Sequence, residues 1–218
     1  MSIIVNDLVE AYIEGLYKSK NDFLNNLREQ AENEGVPIIT KDTEDFLSVL
    51  ISIHKPKKIL EIGTAIGYSA IFFASVIPEA SILSIEMNNR MYERAINNIE
   101  ASQMNNRISV YKGDAKEIIP GLDSAFDMVF IDAAKGHYKS FFDRSIKVLK
   151  PQGVIVSDNV LYKGMTASNE FLVKRKRTIA SRMRIYLNYI YNHPEFETAV
   201  LSVGDGIAVS VRKGKDNI

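Results

Sequence analysis

The chain has 218 residues, 46% of them hydrophobic, which suits one folded α/β domain with a substantial core and excludes a disordered chain. Lysine plus arginine equal aspartate plus glutamate at 27 each, so overall charge points to neither a nucleic acid nor a membrane surface, and only a local cluster can do so. With no cysteine, disulfides, thiolate metal sites and a cysteine nucleophile are excluded, which fits a reducing compartment. No apolar run approaches the roughly 20 residues of a membrane span, and the first residues lack the basic-then-apolar order of a signal peptide. The expectation is a cytoplasmic protein with no membrane or DNA partner.

In chain order, residues 6–18 and 21–34 carry apolar side chains at helical spacing: Leu8, Tyr12 and Leu16, then Phe23, Leu24 and Leu27. Asn6 and Asn21 are the expected N-caps, and Gly35 with Pro37 ends the second helix. A third helix is expected over 41–54, with Phe46, Leu47, Leu50 and Ile51 inward. After Pro56, short apolar runs at 58–62, 81–85, 107–111, 126–131 and 153–157 alternate with helical segments at 67–77, 88–103, 114–119 and 136–149. Strands alternating with helices imply a parallel sheet covered on both faces. A long helix over about 168–191 then precedes strands near 196–203 and 206–212, with Gly204-Asp205-Gly206 as a tight hairpin turn. The expected fold is α/β: a doubly wound, Rossmann-like, seven-stranded sheet ending in an antiparallel strand pair. Residues 1–55 form an N-terminal helical cap on the 56–218 core, and 1–218 is one domain.

In such sheets ligands lie beyond the carboxyl ends of the strands. The first strand runs into Glu61-Ile-Gly63-Thr64-Ala-Ile-Gly67-Tyr-Ser69. Glycines at Gly63 and Gly67 let main chain approach a ligand, and a helix start offers free N–H groups. The spacing differs from the dinucleotide loop G-x-G-x-x-G. Glu61 at the strand end would repel a pyrophosphate and favour a cation, so S-adenosylmethionine, with its sulfonium and ammonium, suits the loop better than NAD. The plainer alternative is a strand–turn–helix with incidental glycines. Glu86 ends the second strand roughly 20 residues beyond the loop, where an acid bonds ribose hydroxyls, unless it only favours the following helix start. Asp114, in Gly113-Asp114-Ala115, bonds an adenine amino group, caps the next helix, or does both.

Asp132, Asp158 and Asn159 follow the fourth and fifth strands. Two carboxylates and an amide oxygen make a hard ligand set that suits Mg²⁺, while the alternative is two helix caps and one ligand-contacting acid. Without cysteine, and with His54, His137 and His193 sharing no ligand spacing, zinc is not expected. Lys135, three residues past Asp132, becomes a candidate general base if the metal site is real; a lone surface lysine is otherwise only solvated.

These motifs together resemble the metal-dependent class I O-methyltransferases of the caffeoyl-CoA and catechol type, over essentially the whole length. The matching segments are Glu61–Ser69, Ile85-Glu86, Gly113–Ala115, Phe130-Ile-Asp-Ala-Ala-Lys135 and Ser157-Asp-Asn159. The resemblance implies S-adenosylmethionine on Glu61, Gly63, Thr64, Gly67, Ser69, Glu86, Met87, Gly113, Asp114, Ala115 and Asp132, with Ile39 covering it. It further implies Mg²⁺ on Asp132, Asp158 and Asn159, Lys135 as the base, and a homodimer. Within the family the chain resembles most the bacterial branch that methylates 5-hydroxyuridine at the tRNA wobble position. There the 5-hydroxyl and 4-carbonyl oxygens chelate a metal as a catechol does.

One further feature bears on the partner. Six of the eleven residues from Lys174 to Arg184 are basic, and on a helix Arg177 and Arg184 fall near one face with Lys174 close by. Such a patch suits RNA phosphates or another anion such as a coenzyme A thioester; its plainer meaning is a solvated helix face. The open functions are therefore a tRNA 5-hydroxyuridine O-methyltransferase, a small-molecule O-methyltransferase acting on vicinal oxygens, and a non-catalytic S-adenosylmethionine- or RNA-binding protein.

Overall fold

The computed structural model describes residues 7–123 and 125–214. Its centre is a seven-stranded sheet in the order β3-β2-β1-β4-β5-β7-β6. The strands are β1 (Lys58–Ile62), β2 (Ser81–Glu86), β3 (Ile108–Lys112), β4 (Phe126–Ile131), β5 (Leu149–Ser157), β6 (Phe196–Leu201) and β7 (Ile207–Arg212). β1 to β5 pair in parallel, and β7 runs antiparallel to both β5 and β6. The parallel strands are apolar on both faces because helices cover both. Ile59, Ile82, Met128, Phe130, Val154 and Val156 face one core, whereas Leu60, Ile62, Ile85, Val129, Ile131 and Ile155 face the other.

The first core is closed by α2 (Asp22–Glu34), α3 (Lys41–His54), α4 (Tyr68–Val76) and α5 (Asn89–Ala101). The second is closed by α6 (Ala115–Ile118), α7 (Tyr138–Val148) and α8 (Arg177–Tyr191). The N-terminal helices therefore share a core with the sheet: Leu24, Leu27, Leu47 and Ile51 are buried together with Phe72 and Phe73. Helix α1 (Asp7–Leu16) lies against α3. Asn21 caps α2 by accepting from Leu24 N at 2.8 Å, and Gly35 ends it in the left-handed conformation, as expected. Asn6, the expected cap of α1, lies outside the described residues.

Two expectations are corrected. The helix expected over 168–191 begins only at Arg177, after a short 3-10 turn at Lys174–Lys176. The preceding chain turns sharply, with positive φ at Tyr162, Lys163 and Gly164, and its carbonyls at Met165 and Thr166 are held by Arg184 at 2.9 Å each. The turn expected at Gly204-Asp205-Gly206 is there, with Gly206 N donating to Val203 O at 2.9 Å, but it lies within a longer connection, because β6 ends at Leu201 and β7 starts at Ile207. The longer connection serves the segment after β5: the Asp205 and Gly206 carbonyls accept from Leu161 N and Val160 N at 2.9 Å each.

The strand order reverses between β1 and β4, and this is where the four loops meet. Each loop continues the ladder one step past its strand. Gly63 N donates to Ile85 O at 3.0 Å, Gly113 N to Glu86 O at 2.9 Å, Asp132 N to Ile62 O at 3.0 Å and Asp158 N to Ile131 O at 3.0 Å. Gly63 sits at φ +102°, and a Cβ there would lie 2.0 Å from the Asp132 carbonyl oxygen. Gly63→Ala therefore forces β1 and β4 apart at their ends. Urea denaturation is expected to show a loss of about 2 kcal/mol or more, from strained φ and backbone overlap together.

Candidate active site

Beyond these strand ends lies a cavity of about 600 Å³, within the size range of small-molecule sites. Ten of the residues expected around a cofactor line it: Ile39, Gly63, Thr64, Ser69, Glu86, Met87, Gly113, Asp114, Ala115 and Asp132. Glu86 accepts from Ala65 N at 2.9 Å and Asn88 N at 2.7 Å, which fixes its carboxylate at the mouth of the glycine loop. Asp114 caps α6 by accepting from Lys116 N at 2.9 Å and also faces the cavity, so both of its expected roles are open to it.

Glu61 and Gly67 do not line the cavity. Glu61 alternates with Leu60 and Ile62 along β1, so it points to the α4 side of the sheet and is fully buried. There it accepts from the Ser69 and Ser84 hydroxyls, and Ser84 is in turn 2.5 Å from Thr64 Oγ1. The expected direct attraction between Glu61 and a cationic ligand is thus replaced by contact through Ser69 and Thr64, which do reach the cavity. Burial pushes the Glu61 carboxyl up to about 7, against the two hydroxyl donors and with the Asp132 and Glu86 charges adding to it. Gly67 opens α4 at φ +85°, and this left-handed conformation is what requires glycine, since a Cβ there would meet Ala95 of α5 only at an ordinary 3.5 Å.

The second constellation lies at the other end of the same cavity. Asp132, Lys135 and Asn159 line it, while Asp158 is buried just behind. Burial raises the Asp132 carboxyl, which Lys135 opposes; burial and the Asp132 charge raise that of Asp158. One Asp158 oxygen accepts from Asn159 N at 2.6 Å, and the other, Oδ2, is buried without a partner. Lys135 Nζ donates to Asn159 Oδ1 at 3.0 Å. Tyr138 Oη donates to the Asp158 carbonyl at 3.0 Å and steadies the turn. Two carboxylates that oppose each other's ionisation, an orphaned carboxylate oxygen and an amide oxygen fit a hard divalent cation. Among the described residues, no group of three or more His, Cys, Asp or Glu side chains is arranged for a metal, so the amide is needed to complete the set.

Residues 15–213 match the family described as O-methyltransferase. The chain belongs to this O-methyltransferase family. It is 27% identical over 229 residues to caffeoyl-CoA O-methyltransferase of Medicago sativa, which covers 97% of this chain and 91% of that protein. A Staphylococcus aureus crystal structure, provisionally named a caffeoyl-CoA O-methyltransferase, superposes with a TM-score of 0.89. It is 35% identical and covers 94% of this chain and 100% of that one. A Bacillus cereus O-methyltransferase solved with S-adenosylhomocysteine superposes with a TM-score of 0.81 at 25% identity, covering 94% and 97% of the two chains.

As an S-adenosylmethionine-dependent O-methyltransferase, the protein needs one cavity for a methyl donor and an acceptor oxygen, and the two constellations share one. The structure adds residues that sequence reasoning did not assign. His137 and Phe141 line the cavity from the start of α7, and Tyr68 lines it from the start of α4. Their adjacency to Lys135 and Ser69 in sequence was the available signal. Asp205 was read as a turn residue; its carboxyl is raised by burial and lowered by the Lys135 charge, and its own charge raises Asp158. No local motif marks it, because it lies in the β6–β7 connection, where its carboxylate accepts from Lys163 N. The basic run divides. Lys174 and Arg177 are exposed, but Arg184 is not free for an anion: it holds the Met165 and Thr166 carbonyls and Asn169 Oδ1, each at 2.9 Å.

Glu61 generates a pH prediction. Its folded pKa of about 7 lies above the unfolded value, so the folded state binds more protons between them, and its contribution to stability declines as pH rises through that window. The ligand-free protein should lose on the order of 3 kcal/mol between the two pKa values through this group. Glu61→Gln should flatten that part of a stability-against-pH profile measured by urea denaturation; an unchanged slope would remove Glu61 as its source.

Proposed function

We propose that this methyltransferase transfers a methyl group to one of two adjacent oxygens, with 5-hydroxyuridine of the tRNA wobble position as its acceptor. The observation that carries the chemistry is a single cavity lined by the glycine loop, Glu86 and Gly113–Ala115 at one end and by Asp132, Lys135 and Asn159 at the other. Glu86 holds the donor's ribose through acceptor positions not taken by Ala65 and Asn88. Ser69 donates to Glu61, so its remaining lone pairs face the cavity as acceptors. Ile39 closes over the donor. Lys135, fixed against Asn159, would take the acceptor hydroxyl's proton on Nζ, so that with a bound donor the oxygen bonds the methyl carbon in line as the methyl–sulfur bond breaks and S-adenosylhomocysteine leaves. Asp132, Asp158 and Asn159 would hold Mg²⁺, which when bound acts as a Lewis acid toward the two acceptor oxygens.

The tRNA part is supported by exposed Lys174 and Arg177 and by a groove of about 320 Å³ beside the site, lined by Lys135, His137, Lys139 and Arg182 among others. Lys139 in this groove is ion-paired with Asp143 at 2.8 Å, which leaves Lys135 and Arg182 as its other basic side chains. A small-molecule acceptor is the second reading, favoured by the relatives named for caffeoyl-CoA.

The deciding experiment is transfer of labelled methyl groups from S-adenosylmethionine, with Mg²⁺, into tRNA carrying 5-hydroxyuridine and, in parallel, into a simple catechol. Label in 5-methoxyuridine that is lost on chelation supports the proposal; label in catechol alone moves the enzyme to the small-molecule reading. Replacing Lys174 and Arg177 with alanine should lower tRNA methylation about tenfold and leave catechol methylation within twofold. Equal loss of both would make that patch structural. Asp158→Ala should abolish transfer while S-adenosylhomocysteine still binds, as calorimetry would show. Glu86→Ala should raise the dissociation constant of S-adenosylhomocysteine about tenfold. An unchanged constant would remove the ribose role.

A further inference from the structure

The cavity's outer wall is thin. Residues 36–40 link α2 to α3 as a strap without helix or strand, and Pro37, Ile38 and Ile39 of this strap line the cavity. The same three residues also line a depression of about 320 Å³ on the strap's other side, together with Glu14, Glu32 and Lys41. Ile39 is buried in the first core and Val36 and Ile38 pack against that core, but with open space on either side the strap has no helix or strand pairing to hold its backbone over the donor site.

Its backbone is held by a buried polar cluster. Arg28 of α2 is 4% exposed and Glu44 of α3 is 0% exposed. Arg28 Nη1 donates to the Ile39 carbonyl at 3.0 Å, and Nη2 donates to Glu44 Oε2 at 2.6 Å. Tyr68 Oη donates to the same Glu44 oxygen at 2.5 Å, and Tyr17 Oη donates to Oε1 at 2.9 Å. The Arg28 guanidinium also stacks on the Tyr68 ring, 4.7 Å from its centroid. Tyr68 is the first residue of α4 after the glycine loop and lines the cavity, so the cluster joins the strap to the loop across the donor site. Burying an ion pair is costly, and well-packed apolar residues would hold α2 to α3 more cheaply. A planar guanidinium does what they cannot: it binds a carboxylate and a strap carbonyl at once.

We propose that Arg28, fixed by Glu44, is a positioning residue that latches the strap over the methyl donor and so sets how tightly and how long the donor stays bound. This rests on the cavity holding S-adenosylmethionine, which titration of the wild-type protein with S-adenosylhomocysteine checks separately. The test variant is Arg28→Lys. Its ammonium keeps the charge facing Glu44 but cannot also serve the Ile39 carbonyl in the same geometry. The expected result is a dissociation constant for S-adenosylhomocysteine raised about tenfold, mostly through faster release in stopped-flow. Tyr17→Phe is the control: it removes one bond to Glu44 and leaves the strap bond, so affinity should stay within twofold even where the melting temperature drops. Wild-type affinity and release in Arg28→Lys, or affinity losses in both variants that follow their melting temperatures alike, would overturn the latch. If Arg28→Lys does not fold, hydrogen exchange on the wild-type protein decides. The amides of Val36, Ile38, Ile39 and Thr40 should gain more protection from S-adenosylhomocysteine than those of α2 and α3, and equal protection overturns the proposal.

Discussion

The site depends on one close approach, that of Gly63 to the Asp132 carbonyl. A side chain at position 63 would occupy the space of that oxygen, so the loops after β1 and β4 meet only because residue 63 has none. The loop after β1 carries the donor side of the cavity, and the loop after β4 carries the acid and lysine side. Parallel pairing of β1 with β4 at the point where the strand order reverses brings them side by side. The backbone bond from Asp132 N to Ile62 O then holds the two loops in register. The two groups of residues share a cavity because of this geometry more than because of any single side chain.

Around this junction, acidic groups stand at different depths with different partners. Glu86 sits at the cavity mouth on two backbone N–H groups. Glu61 lies beneath the loop and is satisfied by two hydroxyls, so it shapes the site through Ser69 and Thr64. Asp158 keeps a buried oxygen without a partner. Asp158 Oδ2 is one of four such atoms among the described residues, with Arg28 Nε, Asp143 Oδ1 and Ser145 Oγ, and its place beside the Asp132 carboxylate gives it the character of a ligand position. The same acid type thus plays three parts, and the distinction between them is which face of the sheet it leaves and what meets it there.

The two surrounding segments are held by arginines placed on neighbouring helices. Arg184 of α8 secures the chain after Asn159 through two carbonyls and an amide, and Arg28 of α2 secures the strap through one carbonyl and a buried glutamate. In each case a planar fork of donors fixes irregular backbone that has no ladder of its own. The β6–β7 connection adds a third support beneath Val160 and Leu161. Irregular backbone near a reacting centre is kept in place by such donors rather than by secondary structure.

The sequence by itself determined the alternation of strands and helices, the glycine loop, and the set of residues at the strand ends, because these depend on local pattern. Short apolar runs and helix caps are written in neighbouring residues, and ten expected donor-site residues do line one cavity. It also led to the family through whole segments such as Glu61–Ser69. Tertiary structure alone decided what each polar group faces. Glu61 was legible as an acid at a strand end but not as one turned under the sheet, since its partner Ser84 comes from another strand. Arg184 was legible as part of a basic run but not as a bond to Met165 and Thr166, and the same run hid the late start of α8. Asp205 and the Arg28–Glu44 pair carry no motif. The physical reason is common to all of them: spacing along the chain fixes which residues share a local face, whereas the partner of a long side chain is chosen by segments that only the fold brings near.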